Sequence, residues 1–257
     1  MKLVLVEPEL EFSPSAENLE RVTRLLEPAA PGLGPADVVL LPEHFELRED
    51  RGEYERSVGS LARRLGCHVV GGSHHETRGD RRVNSGVAAD ASGAVVGRYE
   101  KLRPYADERT RVEPGELLGE LRLGEVDALV MVCADFWFSD LLARATRLPD
   151  LLLVPAFSVS RKPTPDFSRA LWRHLAVTRA YELAVYVGVS DWAHVPTGGR
   201  VTASGVAGLA DPTETDPEAL YRPVGGAVRV YDLDLGALGR LREDRRARGF
   251  FFAPGAS

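Results

Sequence analysis

A chain of 257 residues can bury a large core and fits one domain, 1–257, better than two. Its 44% hydrophobic and 27% charged residues exclude a disordered or a collagen-like chain. A net charge of -6 argues against a general nucleic-acid binder, and no apolar run approaches the roughly 18 residues of a bilayer span, so neither nucleic acid nor membrane is an expected partner.

In chain order, Leu3-Val4-Leu5-Val6 reads as a first strand, too short and too soon followed by Glu7 to be a signal peptide. Residues 15–26 read as a helix with Ser15 as N-cap and Leu19, Val22, Leu25 and Leu26 on one face. Residues 37–41 form a buried strand that ends at Pro42-Glu43, and 54–65 a second amphipathic helix. Residues 67–72 are a strand, and 85–89 with 94–99 a hairpin around Asp90-Ala91-Ser92-Gly93. The apolar run 126–132 leads straight into Cys133; 141–147 reads as helix and 151–154 as strand. A long helix over 169–183, strands over 184–189, 201–209 and 227–233, and an Arg-rich tail over 235–257 complete the chain. Helices alternating with short apolar strands predict a layered α/β fold with sheets covered on both faces.

Cys67 and Cys133 are too few for a disulfide framework, so a reducing cytoplasm is expected. The cations are 29 Arg and three Lys, at positions 2, 101 and 162, so a surface cation in this chain is by default Arg. Lys101 therefore invites a role for a compact point charge. Glu43, Lys101 and Cys133 supply a carboxylate, an ammonium and a thiol, a complete set for covalent acyl transfer. The thiolate attacks, the carboxylate moves protons, and the cation holds the oxyanion.

Pro42-Glu43, Tyr99-Glu100-Lys101 and Cys133-Ala134-Asp135, in this order and spacing, resemble the nitrilase superfamily of carbon–nitrogen hydrolases. The resemblance runs along nearly the whole chain. It takes in Asn18-Leu19, Val154-Pro155-Ala156, Trp172, Arg179, Ala180, Glu182, Tyr186-Val187, Asp211-Pro212 and Asp232-Leu233. It implies a four-layer αββα sandwich, two mixed β-sheets between helical layers, and a homodimer in which the tail from about 235 helps packing. It implies Cys133 as nucleophile, Glu43 as general base and acid, and Lys101 with the N–H of Ala134 at the oxyanion. Glu108 is the best candidate for the family's second Glu, with Asp107 as the fallback. Trp137, Phe157 and Ser158 are expected at the substrate. No metal and no organic cofactor are implied. The implied substrate is a small amide or N-carbamoyl compound, cleaved through a thioester with release of ammonia or an amine.

The sequence also departs from the family. Trp137 stands where members often carry Arg, Ser139-Asp140 replaces Pro-Glu, Glu7 stands near a usual Gln, and Leu183 replaces an Asn. An acidic substrate group is thus less expected, and an apolar or aromatic-lined pocket more so. Two other readings stay open: an acyltransferase using the same three residues, and an inactive binding protein that keeps the fold. Cys67 reads as an inert core thiol and Lys162 as a surface charge. Adjacent His74 and His75 point to opposite faces of a strand and show no zinc spacing, and His44 reads as packing beside Glu43.

Overall fold

Alternation along the first strand sorts its side chains between two cores. Leu3 and Leu5 enter one, and Val4 and Val6 the other. Val38 and Leu40 against Val39 and Leu41 repeat the division in the second strand. Both strands are thus buried on both faces, as the sequence led us to expect. The computed structural model describes residues 1–13, 17–47, 49–159, 162, 164–195 and 202–251.

The elements are β1 (Lys2–Val6), α1 (Asn18–Leu26), β2 (Val38–Leu40), α2 (Arg51–Leu65), β3 (His68–Val70), β4 (His74–Arg78), β5 (Arg81–Ala89) and β6 (Val95–Glu100). They continue with β7 (Gly119–Leu123), β8 (Val126–Val130), α3 (Ser139–Leu142), β9 (Leu151–Pro155), α4 (Asp166–Leu183) and β10 (Tyr186–Ser190). The last are β11 (Gly208–Ala210), β12 (Tyr221–Pro223), β13 (Val228–Asp232) and α5 (Leu235–Ala247). One sheet has the order β13-β1-β2-β3-β5-β4, with β6 on the free side of β5; the other runs β12-β11-β10-β9-β8-β7. Parallel pairs at each centre and antiparallel pairs at the margins make both sheets mixed. The apolar faces of α1 and α2 cover the first sheet through Val22, Leu26, Tyr54, Val58 and Leu61. Trp172, Ala176, Ala180 and Leu183 of α4 join the core that fills the space between the sheets and beyond the second. The result is the expected αββα sandwich.

Several elements depart from the sequence reading. The first helix begins at Asn18; Ser15 lies outside the described residues, as do Val201 and Phe252. Asn18 is buried, and its amide clasps the backbone of Glu11 at both N–H and carbonyl, 3.1 and 2.9 Å. The second helix starts at Arg51 because Asp50 caps it, accepting from Glu53 N–H at 2.7 Å. The helix expected over 141–147 is one short turn. Glu120 Oε1 accepts from the N–H groups of Thr146 and Arg147, 2.7 and 3.2 Å, and draws the chain away from helix. Of the strand expected over 201–209, the described part is regular only from Gly208.

The site-bearing corner depends on Gly72. Its φ is +67°, and a Cβ there would stand 2.0 Å from the carbonyl oxygen of Pro42, the residue before Glu43. Gly79 shares the left-handed backbone, φ +59°, but a Cβ there meets open space. Gly72→Ala should cost the conformational term and overpacking together, about 1–3 kcal/mol each. Gly79→Ala should cost the first alone, and urea unfolding of both variants beside the parent measures the difference.

Candidate active site

Three strands of the first sheet deliver one polar side chain each to a common point. His75 of β4 is the register partner of Asn84 of β5, and Lys101, just past β6, donates its backbone N–H to the Asn84 carbonyl at 2.8 Å. Two carboxylates meet them. Lys101 Nζ donates to Glu43 Oε1 at 2.7 Å and to Glu108 Oε2 at 2.6 Å. Asn84 Nδ2 donates to the same two groups, at 2.9 Å to Glu43 Oε1 and 2.8 Å to Glu108 Oε1. His75 Nε2 lies 3.1 Å from Glu108 Oε1. Of the two acids considered after Lys101, it is Glu108 that reaches the ammonium; Asp107 lines a neighbouring cavity.

Lys101 and Glu43 are each 2% exposed, so these charges are almost fully out of water. Burial opposes the charge on Lys101, but the Glu43 and Glu108 carboxylates outweigh it and hold the ammonium above its usual range. Burial likewise opposes charge on Glu108. The His75 hydrogen bond and the Lys101 charge overcome that and hold it well below the usual carboxylate range. His44 Nε2 is 3.7 Å from Glu43 Oε1, yet burial pushes its imidazole down to about 4, so the ring beside Glu43 is neutral near pH 7.

Glu43 sits where the two sheets meet. Its N–H donates to Ala156 O at 3.3 Å beyond β9, and Trp192 Nε1 donates to its carbonyl at 2.7 Å beyond β10. His44 N–H donates to Ser73 O at 2.8 Å, which ties the same corner to the first sheet. Cys133 arrives from β8 and opens a 3-10 turn, Cys133–Trp137, with a left-handed φ of +48°. That conformation is uncommon for a non-glycine residue and stores local strain. Its Sγ faces Phe157 O at 3.6 Å. Burial and then the Glu43 carboxylate push the thiol up, against the pull of Lys101. The resting sulfur is therefore a protonated thiol beside a carboxylate. Asp135 accepts from the N–H groups of Leu102 and Arg103, 3.0 and 2.8 Å, and so ties the segment after Lys101 to the turn that carries Cys133.

Ala134, Trp137, Phe157 and Ser158 line one cavity with Cys133, of about 400 Å³. The Ser158 hydroxyl is not turned to that space; it donates to the buried Asp191 carboxylate and accepts from Ser204 N–H at 3.1 Å. Lys162 lies 5.5 Å over the Phe167 ring at the cavity's edge. Cys67 is packed in the core under α2, and burial pushes its thiol up to about 12. The sequence reading passed over Asn84 and gave His75 no place at the site. His74 and His75 do point to opposite faces: His74 stacks on Tyr54 at 3.9 Å, and His75 turns to Glu108. The signal that could have found them was strand pairing around Gly79, which places His75 opposite Asn84. His44, His75 and Glu108 bring three possible donor atoms within 4.8 Å of one another. With Lys101 already on Glu108, a divalent cation there would stand against an ammonium.

Glu7 ends β1 on the far side of this corner and accepts from Ala207 N–H at 3.0 Å. Burial pushes it up to about 7, and Asp191 adds to the shift while the Ala207 N–H and Arg169 oppose it. A carboxyl whose folded pKa is raised favours the fold when protonated, so its contribution falls as pH rises from about 4.5 to about 7. Glu7→Gln should remove that dependence. Urea midpoints at pH 5 and pH 7.5 should fall more for the parent than for the variant, and parallel behaviour would exclude the burial account.

The family model described as carbon-nitrogen hydrolase matches residues 12–226. The chain is 27% identical over 251 residues to omega-amidase NIT2 of Danio rerio, covering 89% of this chain and 86% of that protein. It is 23% identical over 197 residues to 2-oxoglutaramate amidase of Bacillus subtilis, covering 71% and 73%. The fold superposes on Saccharomyces cerevisiae Nit3 with a TM-score of 0.78 at 19% identity, over 95% of this chain and 93% of that one. The chain thus belongs to the carbon-nitrogen hydrolase family.

Proposed function

We propose that this enzyme hydrolyses a small amide, with Cys133, Glu43 and Lys101 as the reacting set and Glu108 as the residue that holds Lys101 in place. The observation that carries the reading is the buried Lys101 ammonium bonded to Glu43 in the corner where the Cys133 thiol faces a cavity. Glu43 takes the thiol proton as Sγ bonds to the amide carbon. The carbonyl oxygen gains the displaced electron pair, and Lys101 Nζ with the N–H of Ala134 stabilises it. Collapse expels the amine, which takes the proton from Glu43 and leaves a thioester on Cys133. Water then gives a proton to Glu43 and its oxygen to the acyl carbon. The acid departs and the proton returns to sulfur. A thiol that stays protonated until substrate arrives suits this sequence of transfers.

Hydrolysis is favoured over acyl transfer because the two sequence relatives of best coverage are named for amide hydrolysis. A free acid formed at the same rate with and without an added alkylamine supports it. An N-alkyl amide as the main product would replace it with transfer. Cys133→Ala and Glu43→Gln should each lower the rate of ammonia release by roughly 10³-fold or more, and Glu108→Gln by on the order of 10²-fold. An unchanged rate in Cys133→Ala would exclude the mechanism.

The same reading places the protein in the cytoplasm, where free Cys67 and Cys133 fit a reducing medium. No helix among the described residues is long and apolar enough to cross a membrane. We also infer a homodimer through α4 and the tail. Tyr181 and Phe250 are exposed there, both against the guanidinium of the largely buried Arg245. Sedimentation equilibrium should show a dimer for the parent and a shift to monomer for Tyr181→Arg.

A further inference from the structure

We propose that the acyl half of the substrate is apolar, a branched or aromatic chain without a carboxylate, seated in the cavity above Cys133. The proposal rests on the amidase reading given above and adds which amides the site takes. An amide carbon in bonding reach of Sγ, with its oxygen toward Lys101, must send its remaining substituent into the space that Cys133 lines. That space, about 400 Å³, is walled by Trp137, Phe157, Val159, Phe167, Leu171 and Trp172. Trp137 stands edge-on to Trp172 at 5.7 Å, and Phe136 stacks behind Trp172 at 5.9 Å, so the wall is backed by packed rings. Trp137, Phe167 and Leu171 are more than a third exposed, apolar surface that an apolar guest would cover.

Among the described residues, a carboxylate finds little here. The Ser158 hydroxyl is committed to Asp191. Lys162, the cation of the described lining, lies over the Phe167 ring. Arg103 and Arg109 belong to the adjoining cavity of about 800 Å³, whose described lining does not include Cys133. Arg103 is also paired with Asp140 and packed 4.1 Å over the Phe138 ring. Placing a carboxylate in this space strips its water for few polar partners among the described residues, whereas each buried methylene is favourable.

Two amides of nearly equal shape test this. Glutaramate carries a carboxylate where 5-methylhexanamide carries an isopropyl group. Ammonia release should give a kcat/KM for 5-methylhexanamide on the order of 10²-fold above that for glutaramate. From propanamide to hexanamide, kcat/KM should rise roughly fourfold per methylene, and Trp137→Ala should flatten that rise. Equal or faster turnover of glutaramate would overturn the proposal and leave the amidase reading standing. Loss of that turnover in Lys162→Ala would then mark Lys162 as the carboxylate's partner. Ammonia release from none of these amides would remove the amidase reading and this proposal together.

Discussion

An ammonium shared between two carboxylates in a water-poor corner is the constraint on which the rest of this structure depends. Stripping water from Lys101, Glu43 and Glu108 costs several kcal/mol per ion, and only close, fully partnered contacts offset it. Asn84, His75 and the backbone N–H of Tyr105 supply further bonds, so each carboxylate has more than one donor. Such a cluster tolerates little movement. Loss of one member leaves the others buried and uncompensated, which is costlier than losing a surface ion pair. The register of β4, β5 and β6 is therefore as much a part of the site as the charged groups themselves.

The second constraint is the seam between the sheets. Ser190 Oγ donates to Leu40 O at 2.8 Å and accepts from Val6 N–H at 3.0 Å, so the ends of β1, β2 and β10 are joined by one hydroxyl. Glu43 is gripped at its own N–H and carbonyl across the same seam. Asp135 links the Lys101 segment to the Cys133 turn, although burial pushes its carboxyl up to about 6 against two backbone donors. These bonds let residues from both sheets share one corner. The left-handed backbone at both His44 and Cys133 belongs to the same arrangement, since each chain reverses sharply as it leaves its strand.

Much of the fold was readable because two-sided burial leaves an unbroken apolar run. That signal marked β1, β2, β8, β9 and β10, and the chemistry at their ends marked Glu43 and Cys133. Lys101 stood out because this chain otherwise uses Arg. β4 was hidden because His74-His75-Glu76-Thr77-Arg78 is polar, as an edge strand can be when it pairs on one side only. β12 is three residues long, too short for any periodicity. The helix expected over 141–147 is shorter in the fold because propensity carries no knowledge of Glu120, which reaches this segment from β7.

Local pattern thus carried the family, the layered architecture and the three residues proposed to react, because each leaves its mark within a few neighbouring positions. Asn84 and His75 as partners of Glu108, the grip of Trp192 on Glu43, and the turning of Ser158 to Asp191 came from folding alone. These contacts join residues from 24 to 149 positions apart. Whether a histidine or a serine faces a cavity or a carboxylate is set by pairing register and by the seam between sheets. Neither is written in the residues next to it.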